Sequence, residues 1–432
     1  MFNWLLAHTP LLYFTQSLWR DEAFSVLVAQ KPIQFLFTKL TFEPPVYYLL
    51  LHFWMKIFGS SEIAIRSLSL LGFTLATCVV IVWAEKLFKK HFLSWVLPLF
   101  FFLNPMLLYY AFEVRTYAWF TFFTTLSMYM YMEKKWTGFA VASVLGFYTH
   151  TYFIFVSVVT GLHYLITLKK RKKFFSQQPT KSFIAIFLLI APWLIKIAME
   201  MGRLKSSWYS PVDFHLVKSV LGNMFIGYEG TPWYLWNYTA ILSVILVSLF
   251  LLARNLFFIL MATVPLAIVL GVSLFKPLFV NRYLIPVTVA EVFLVALAIA
   301  RIKPKIFQIA ITSLFLLALL LFNSWYPKEH QKLNIRATIM EVNTLMDQDD
   351  VILAQSPLIF FESIYYSKDP SRVFLYNPDN SPFPWYVGDA IVSQSQITRD
   401  LPSYPIRAYL IYENGSYDMA YQTTTVLATR QP

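Results

Sequence analysis

Trp19-Arg20-Asp21-Glu22-Ala23 places an arginine and an adjacent acid pair directly after the first apolar segment. Ionisable side chains at the edge of hydrocarbon are costly to place and mark a functional site by default. What surrounds this stretch decides the fold class. The chain has 432 residues, of which 58% are hydrophobic, 19% aromatic and 13% charged. Soluble domains carry roughly twice that charged fraction. So few polar groups do not cover a water-facing surface, and lipid has to serve as solvent. The net charge of +12 raises nucleic acid as a partner, but its distribution excludes that reading. The lysines and arginines fall in short clusters between apolar runs, which is the topology signal of a membrane protein. The single cysteine, Cys78, lies within an apolar run, so no intrachain disulfide forms and the redox compartment is not legible. Glycine is scarce and no fixed-period repeat is visible, which argues against inverted-repeat transporters.

Apolar runs bounded by charges or turn residues predict about eleven spans at roughly 20 residues each. They fall near 2–18, 64–85, 92–110, 115–132, 136–151, 152–168, 181–200, 236–253, 256–274, 283–300 and 306–323. The first is short for a span. It lacks the basic start and small-residue cleavage site of a signal peptide, and reads as a short first helix. With eleven alternating spans, Lys86, Lys89 and Lys90, Lys134-Lys135, the Lys169–Lys173 run, Arg254, and Arg301 with Lys303 and Lys305 all share one side. The positive-inside rule makes that side the cytoplasm. The segments 19–63, 111–114, 201–235 and 275–282, and everything after Asn323, then face outward.

The first outer loop is expected to be structured. Glu22 to Gln30 has helical spacing. Pro44-Pro45 opens a second helix, because proline suits a first turn. That helix, Val46 to Phe58, is aromatic and apolar, reads as lying in the interface plane, and ends at Gly59. Beyond residue 323 charge rises and apolar runs shorten. Val351–Ala354, Val373–Tyr376, Ala408–Tyr412 and Thr424–Leu427 read as strands, and Arg336–Met346 and Pro357–Tyr366 as helices. The expected architecture is an all-α polytopic membrane domain over 1–323, followed by a small extracytoplasmic α/β domain over 324–432.

Within or beside the outer segments, the charges singled out are Arg20, Asp21, Glu22, Glu43, Arg66, Glu113, Arg115 and Arg282, joined by His52 and His150. They are distant in sequence, yet the topology collects them at one membrane face, and that convergence points to a site. Asp21 and Glu22 point about 100° apart on a helix, so one faces substrate and the other has a supporting or capping role. Glu113-Val114-Arg115-Thr116-Tyr117 sits where the chain turns back into the membrane. It is either an acid with a phosphate or sugar binder, or a local ion pair at a helix start. Arg282-Tyr283 heads a span, either as a bidentate phosphate ligand or as a snorkelling anchor beside an interfacial tyrosine. His150 either lines a pocket or is structural. No metal constellation, glycine-rich phosphate loop or serine elbow is present.

Taken in order, these pieces resemble a known family. Ser17-Leu18-Trp19-Arg20-Asp21-Glu22-Ala23 is similar to the first-loop motif of GT-C fold glycosyltransferases. Within that fold it resembles the protein O-mannosyltransferases, the bacterial aminoarabinose transferases of lipid A, and the Rgt-type core-oligosaccharide transferases. Glu43-Pro44-Pro45-Val46-Tyr47-Tyr48, Phe58-Gly59-Ser60-Ser61-Glu62 through Arg66, Glu113-Val114-Arg115-Thr116-Tyr117-Ala118, Tyr148-Thr149-His150-Thr151-Tyr152 and Asn281-Arg282-Tyr283-Leu284 continue the likeness across most of 17–285. The tail resembles the external domain of this group only loosely, and the chain is expected to start late relative to such relatives.

The resemblance implies an inverting hexosyl- or pentosyltransferase in the inner membrane of a prokaryote. Its donor would be a polyprenyl-phosphate sugar and its acceptor a protein, glycolipid or polysaccharide hydroxyl. Asp21 matches the motif acid that acts as base. Arg282 matches the residue near the donor phosphate, with Arg66, Arg115 and Tyr283 as further phosphate binders. Glu22, Glu43, His52, Glu113 and His150 are the supporting or acceptor-site residues. Where relatives often carry histidine before the double proline this chain has Glu43, which leaves a divalent metal open. Two other readings fit parts of the pattern. A flippase of lipid-linked saccharides would need polar groups deep in several spans, where only Lys196 and Glu291 stand out. A polymerase or ligase would use a pyrophosphate-linked donor.

Overall fold

The run after Asn281 is apolar on every face, and a helix of that kind has to be buried all round. The computed structural model describes Trp4 and residues 8–168, 174–202, 211–227, 232–382 and 388–423. In it, Asn281–Ile299 has 89% of its apolar window inside the protein. From Ile285 to Ile299 only Leu297 is not buried. This helix packs against the helices Leu93–Phe102, Tyr117–Met132, Trp236–Ala253 and Leu256–Ser273. Trp83 fills the contact, with its ring 4.5 Å from Phe293 and 5.4 Å from Phe258.

By its contacts the chain divides into two units. The first comprises Met1–Phe14 and Ile33–His330, and the second Thr15–Pro32 and Gln331–Pro432. The first unit is a helical membrane domain. Its outer helices Gln178–Glu200 and Lys305–Glu329 have only 22% and 17% of their apolar windows covered. Apolar faces of that length are stable only against lipid.

Six described helices are long and apolar enough to cross a membrane, or seven if the bent pair Leu93–Phe102 and Pro105–Ala111 is one span. Several of the about eleven expected spans form bent or shorter helices. The expected span at 92–110 bends by 58° at Asn104-Pro105. Proline cannot donate to the preceding turn, and the Asn104 side chain accepts from Leu107 N at 3.1 Å, so a new helix starts there. The segments expected at 136–151 and 152–168 form shorter helices, Trp136–Phe147 and Ile154–Thr167. In the last turn of the first, Gly146 lets Phe153 approach to where a Cβ would meet its ring at 2.2 Å. Of the run expected at 2–18, residues 1–3 and 5–7 lie outside the described residues, as does the basic run 169–173.

The helix expected after the double proline forms over Pro45–Phe58 with Pro45 in its first turn. Its N-terminal Val46 N donates to Tyr148 O at 2.9 Å. Gly59 caps the other end at φ +80°, a conformation that favours glycine. Tyr47, Tyr48 and Leu51 are buried, whereas Phe53, Ile57 and Phe58 are half or more exposed. A helix apolar on its open side suits a lipid interface.

The second unit is α/β. Strands β1 (Val351–Ala354), β2 (Val373–Tyr376), β3 (Ile397–Thr398), β4 (Ala408–Ile411) and β5 (Tyr417–Ala420) form one sheet of order β3-β2-β1-β4-β5. β1 pairs parallel with β2 and β4, β2 pairs parallel with β3, and β5 closes antiparallel on β4. The helices Ile335–Leu345 and Pro357–Tyr366 lie close to the expected ranges. The expected strand Thr424–Leu427 lies outside the described residues. Arg407 ties β4 to the β1 entry, with Nε 2.9 Å from Asp350 Oδ2. The sequence did not anticipate that Thr15–Pro32 folds with this unit. Its helix Arg20–Ala29 packs on Pro357–Tyr366, with Phe24 and Phe361 5.6 Å apart.

Candidate functional site

The acid pair opens the Arg20–Ala29 helix, where carboxylates complement the positive end of the dipole. The two side chains take different environments, as their angular spacing requires. Asp21 keeps its side chain 13% exposed and pairs with Arg20 at 2.8 Å. Glu22 has no exposed surface. Its Oε2 accepts from the Trp19 backbone N–H at 3.4 Å and pairs with Lys332 Nζ at 2.9 Å. A third carboxyl, Glu362 on Pro357–Tyr366, is buried within electrostatic reach of Arg20, Asp21, Glu22 and Lys332. Burial above all, reinforced by Glu22 and Asp21 and opposed by Arg20 and Lys332, pushes the Glu362 carboxyl up to about 8.

The chain on either side of the pair is held by the same unit. Tyr366 Oη accepts from Leu18 N at 2.7 Å, Arg336 N donates to Ser17 Oγ at 3.2 Å, and Lys332 N donates to Gln16 Oε1 at 3.2 Å. Gly388, at φ +88°, lies where a Cβ would meet the rings of Phe361 and Phe24 below 3 Å.

The remaining candidates lie in the helical unit, where several converge. Arg115 Nη2 pairs with Glu43 Oε1 at 3.1 Å, Tyr48 Oη donates to Glu43 Oε2, and Arg115 Nη1 lies 3.5 Å from Tyr48 Oη. The segment Glu113–Thr116 is not helical: Arg115 N turns back to Glu113 O at 2.7 Å. Glu113 is buried, and its carbonyl also accepts from Ser69 Oγ at 2.6 Å. The turn hands Arg115 to Glu43 and starts the next helix at Tyr117.

His150 stacks on Phe120 at 4.6 Å, and its Nδ1 accepts from Tyr152 N at 3.2 Å. It lies 5.1 Å from the Tyr283 ring and within electrostatic reach of both Arg115 and Arg282. Arg282 is buried over the rings of Tyr117 and Tyr283, at 5.8 and 5.7 Å. Two arginines, a histidine and three tyrosines thus form one cationic aromatic wall, suited to an anion next to a polar ring.

Two further candidates lie in the same unit. Arg66 is fully buried and donates from Nη1 to Phe14 O at 3.1 Å. His52 lies one turn beyond Tyr48 with its ring edge-on to Phe53. Lys196, one of two polar residues expected deep in a span, turns its ammonium to the Phe37 carbonyl at 2.7 Å and to that of Leu40. The other, Glu291, is fully buried at the centre of Ile285–Ile299. Among the described residues no group of three or more His, Cys, Asp or Glu side chains is arranged to hold a metal ion. Sequence reasoning missed Lys332 and Glu362. They lie more than 300 positions from the acid pair and carry no local signal.

No family model matches the chain, and no curated protein matches it. Solved structures do. ArnT from Cupriavidus metallidurans in the apo state aligns with a TM-score of 0.64 at 12% identity, covering 94% of this chain and 90% of that one. The same protein bound to undecaprenyl phosphate aligns with a TM-score of 0.62 at 12% identity, over 94% and 91%. The chain therefore has the fold of ArnT, an aminoarabinose transferase of the GT-C type, along almost its whole length.

Proposed function

We propose that this chain is an inverting glycosyltransferase of the cell envelope. In this reading it moves a sugar from a polyprenyl-phosphate carrier to an acceptor hydroxyl at the outer face of the inner membrane. The observation that carries the reading is the fold shared with a protein captured with undecaprenyl phosphate. The ordered motif from Ser17 to Tyr283 supports it.

The acceptor oxygen attacks the anomeric carbon as the carbon–phosphate oxygen bond breaks, and the acceptor proton passes to Asp21. Polyprenyl phosphate leaves with the bonding pair. A phosphate leaving group needs positive charge and no general acid, so one base suffices. That differs from the carboxylate pair of most glycosidases. Arg282 with Tyr283 is the favoured phosphate ligand, because its guanidinium already lies among aromatic faces. Arg115 is committed to Glu43 and contributes field, not a free fork. Arg66, whose Nη1 donates to the Phe14 carbonyl, is a further phosphate-binding candidate. Glu22, Glu43, His52, Glu113 and His150 are supporting or acceptor-site residues, and the Gln331–Pro432 segment acts outside the cytoplasm.

The test is sugar transfer from a polyprenyl-phosphate donor by the full chain in proteoliposomes. Product formation that stops on Asp21→Asn is expected. Movement of the donor across the bilayer without product would overturn the reading in favour of a flippase. Preference for a diphosphate-linked donor would overturn it in favour of a polymerase or ligase.

A further inference from the structure

The fold and the proposed reaction leave one cluster unexplained. The first-loop acids are mounted on the chain's last hundred residues, with Lys332 and Glu362 buried against them. Fixing a helix start to a domain needs no charge. Apolar contact between Phe24 and Phe361 and the Tyr366 bond to Leu18 already do so. A buried ion pair adds little net stability, since desolvating both partners offsets their attraction, and its best-attested use is to fix one arrangement. Here the pair fixes the residue next to Asp21. With Glu22 anchored inward, Asp21 is turned about 100° around the helix toward its partly open side.

Charge balance gives a second line of support. Among the described residues, Asp21, Glu22 and Glu362 face Arg20 and Lys332. Burial pushes the Glu362 carboxyl up to about 8, so it adds less negative charge at neutral pH than Asp21 and Glu22 do. Removing Lys332 takes a positive charge away from Glu22, the residue next to Asp21.

We propose that Lys332 is a positioning residue: through its buried ion pair with Glu22 it orients Asp21 and sets the charge around it, which makes the C-terminal segment part of the catalytic apparatus. This rests on the reading of Asp21 as the base. The test uses the full chain in proteoliposomes with a polyprenyl-phosphate sugar. It measures kcat and donor KM across pH for Lys332→Met, Lys332→Arg and the double variant E22Q/K332M, with thermal stability recorded for each. Lys332→Met is expected to lower kcat by on the order of a hundredfold at unchanged donor KM, the usual cost of a small misplacement. It should also move the acid limb of the pH–rate profile upward by on the order of one unit, as loss of an opposing charge does. Lys332→Arg restores both. The double variant removes both opposite charges of the pair together, so its acid limb returns while kcat stays low.

An unmoved acid limb in Lys332→Met, alongside an inactive Asp21→Asn, overturns this inference alone. A fully active Asp21→Asn overturns the base reading and this inference with it. If Lys332→Met does not fold, wild-type kcat in a folded E22Q/K332M overturns the proposal.

Discussion

Glu362→Gln isolates one buried carboxyl and should change how the stability of the α/β unit depends on pH. The carboxyl is raised from 4.5 to about 8 by burial first, then by Glu22 and Asp21. An acid whose folded value lies above its unfolded value binds more protons when folded. It therefore costs nothing below about 4.5, destabilises progressively between about 4.5 and about 8, and adds no further cost above that. The slope approaches about 1.4 kcal/mol per pH unit, so the full penalty is on the order of 5 kcal/mol. Glutamine keeps the shape and does not ionise. Opening free energies of the amides in Pro357–Tyr366, followed by hydrogen exchange from pH 5 to pH 9 in both proteins, give the comparison. The difference should favour the variant increasingly up to about pH 8 and then level off. Groups common to both proteins cancel. A difference that stays constant across this range would refute the assignment of a buried, protonated Glu362.

Three further outcomes follow from particular contacts. Gly388→Ala drives a Cβ into Phe361 and Phe24 at a left-handed backbone position, and should destabilise the α/β unit by about 1–3 kcal/mol in chemical denaturation. Asn104→Ala removes both the cap on Leu107 N and the bond to Phe225 O at 2.6 Å. It should cost about 1–3 kcal/mol, read as earlier thermal unfolding in detergent. Arg115→Met leaves Glu43 with Tyr48 but without its cation, and should lower transfer more than Arg115→Lys does, measured as kcat/KM for the donor.

What was legible in the sequence was local. Pro44-Pro45 and Gly59 bound the Pro45–Phe58 helix because proline and glycine act on the backbone where they stand. The strands at Val351 and Val373 and the helix at Pro357 fall where their periodicities put them, bounded by turn residues. The shape of the spans was less legible, since hydropathy does not see a bend at Asn104-Pro105 or a glycine that lets Phe153 close in. The candidate site divides the same way. Acids and arginines show up because charge is rare in such a chain, but their partners do not. That Arg115 meets Glu43, that Glu22 is buried against Lys332, and that Glu362 joins the first-loop acids are products of tertiary packing between distant segments. The angular separation of Asp21 and Glu22 was predictable from helix geometry, and which of the two would be buried was not.

The central claim is that Asp21 is the base of a polyprenyl-phosphate-dependent sugar transfer. The most direct measurement is single-turnover transfer by wild type and Asp21→Asn in proteoliposomes loaded with a polyprenyl-phosphate sugar and an acceptor. Donor binding is measured on the same preparations. The account predicts unchanged donor binding and a transfer rate reduced by on the order of a hundredfold or more in Asp21→Asn. Transfer at the wild-type rate by a folded, donor-binding Asp21→Asn would contradict it.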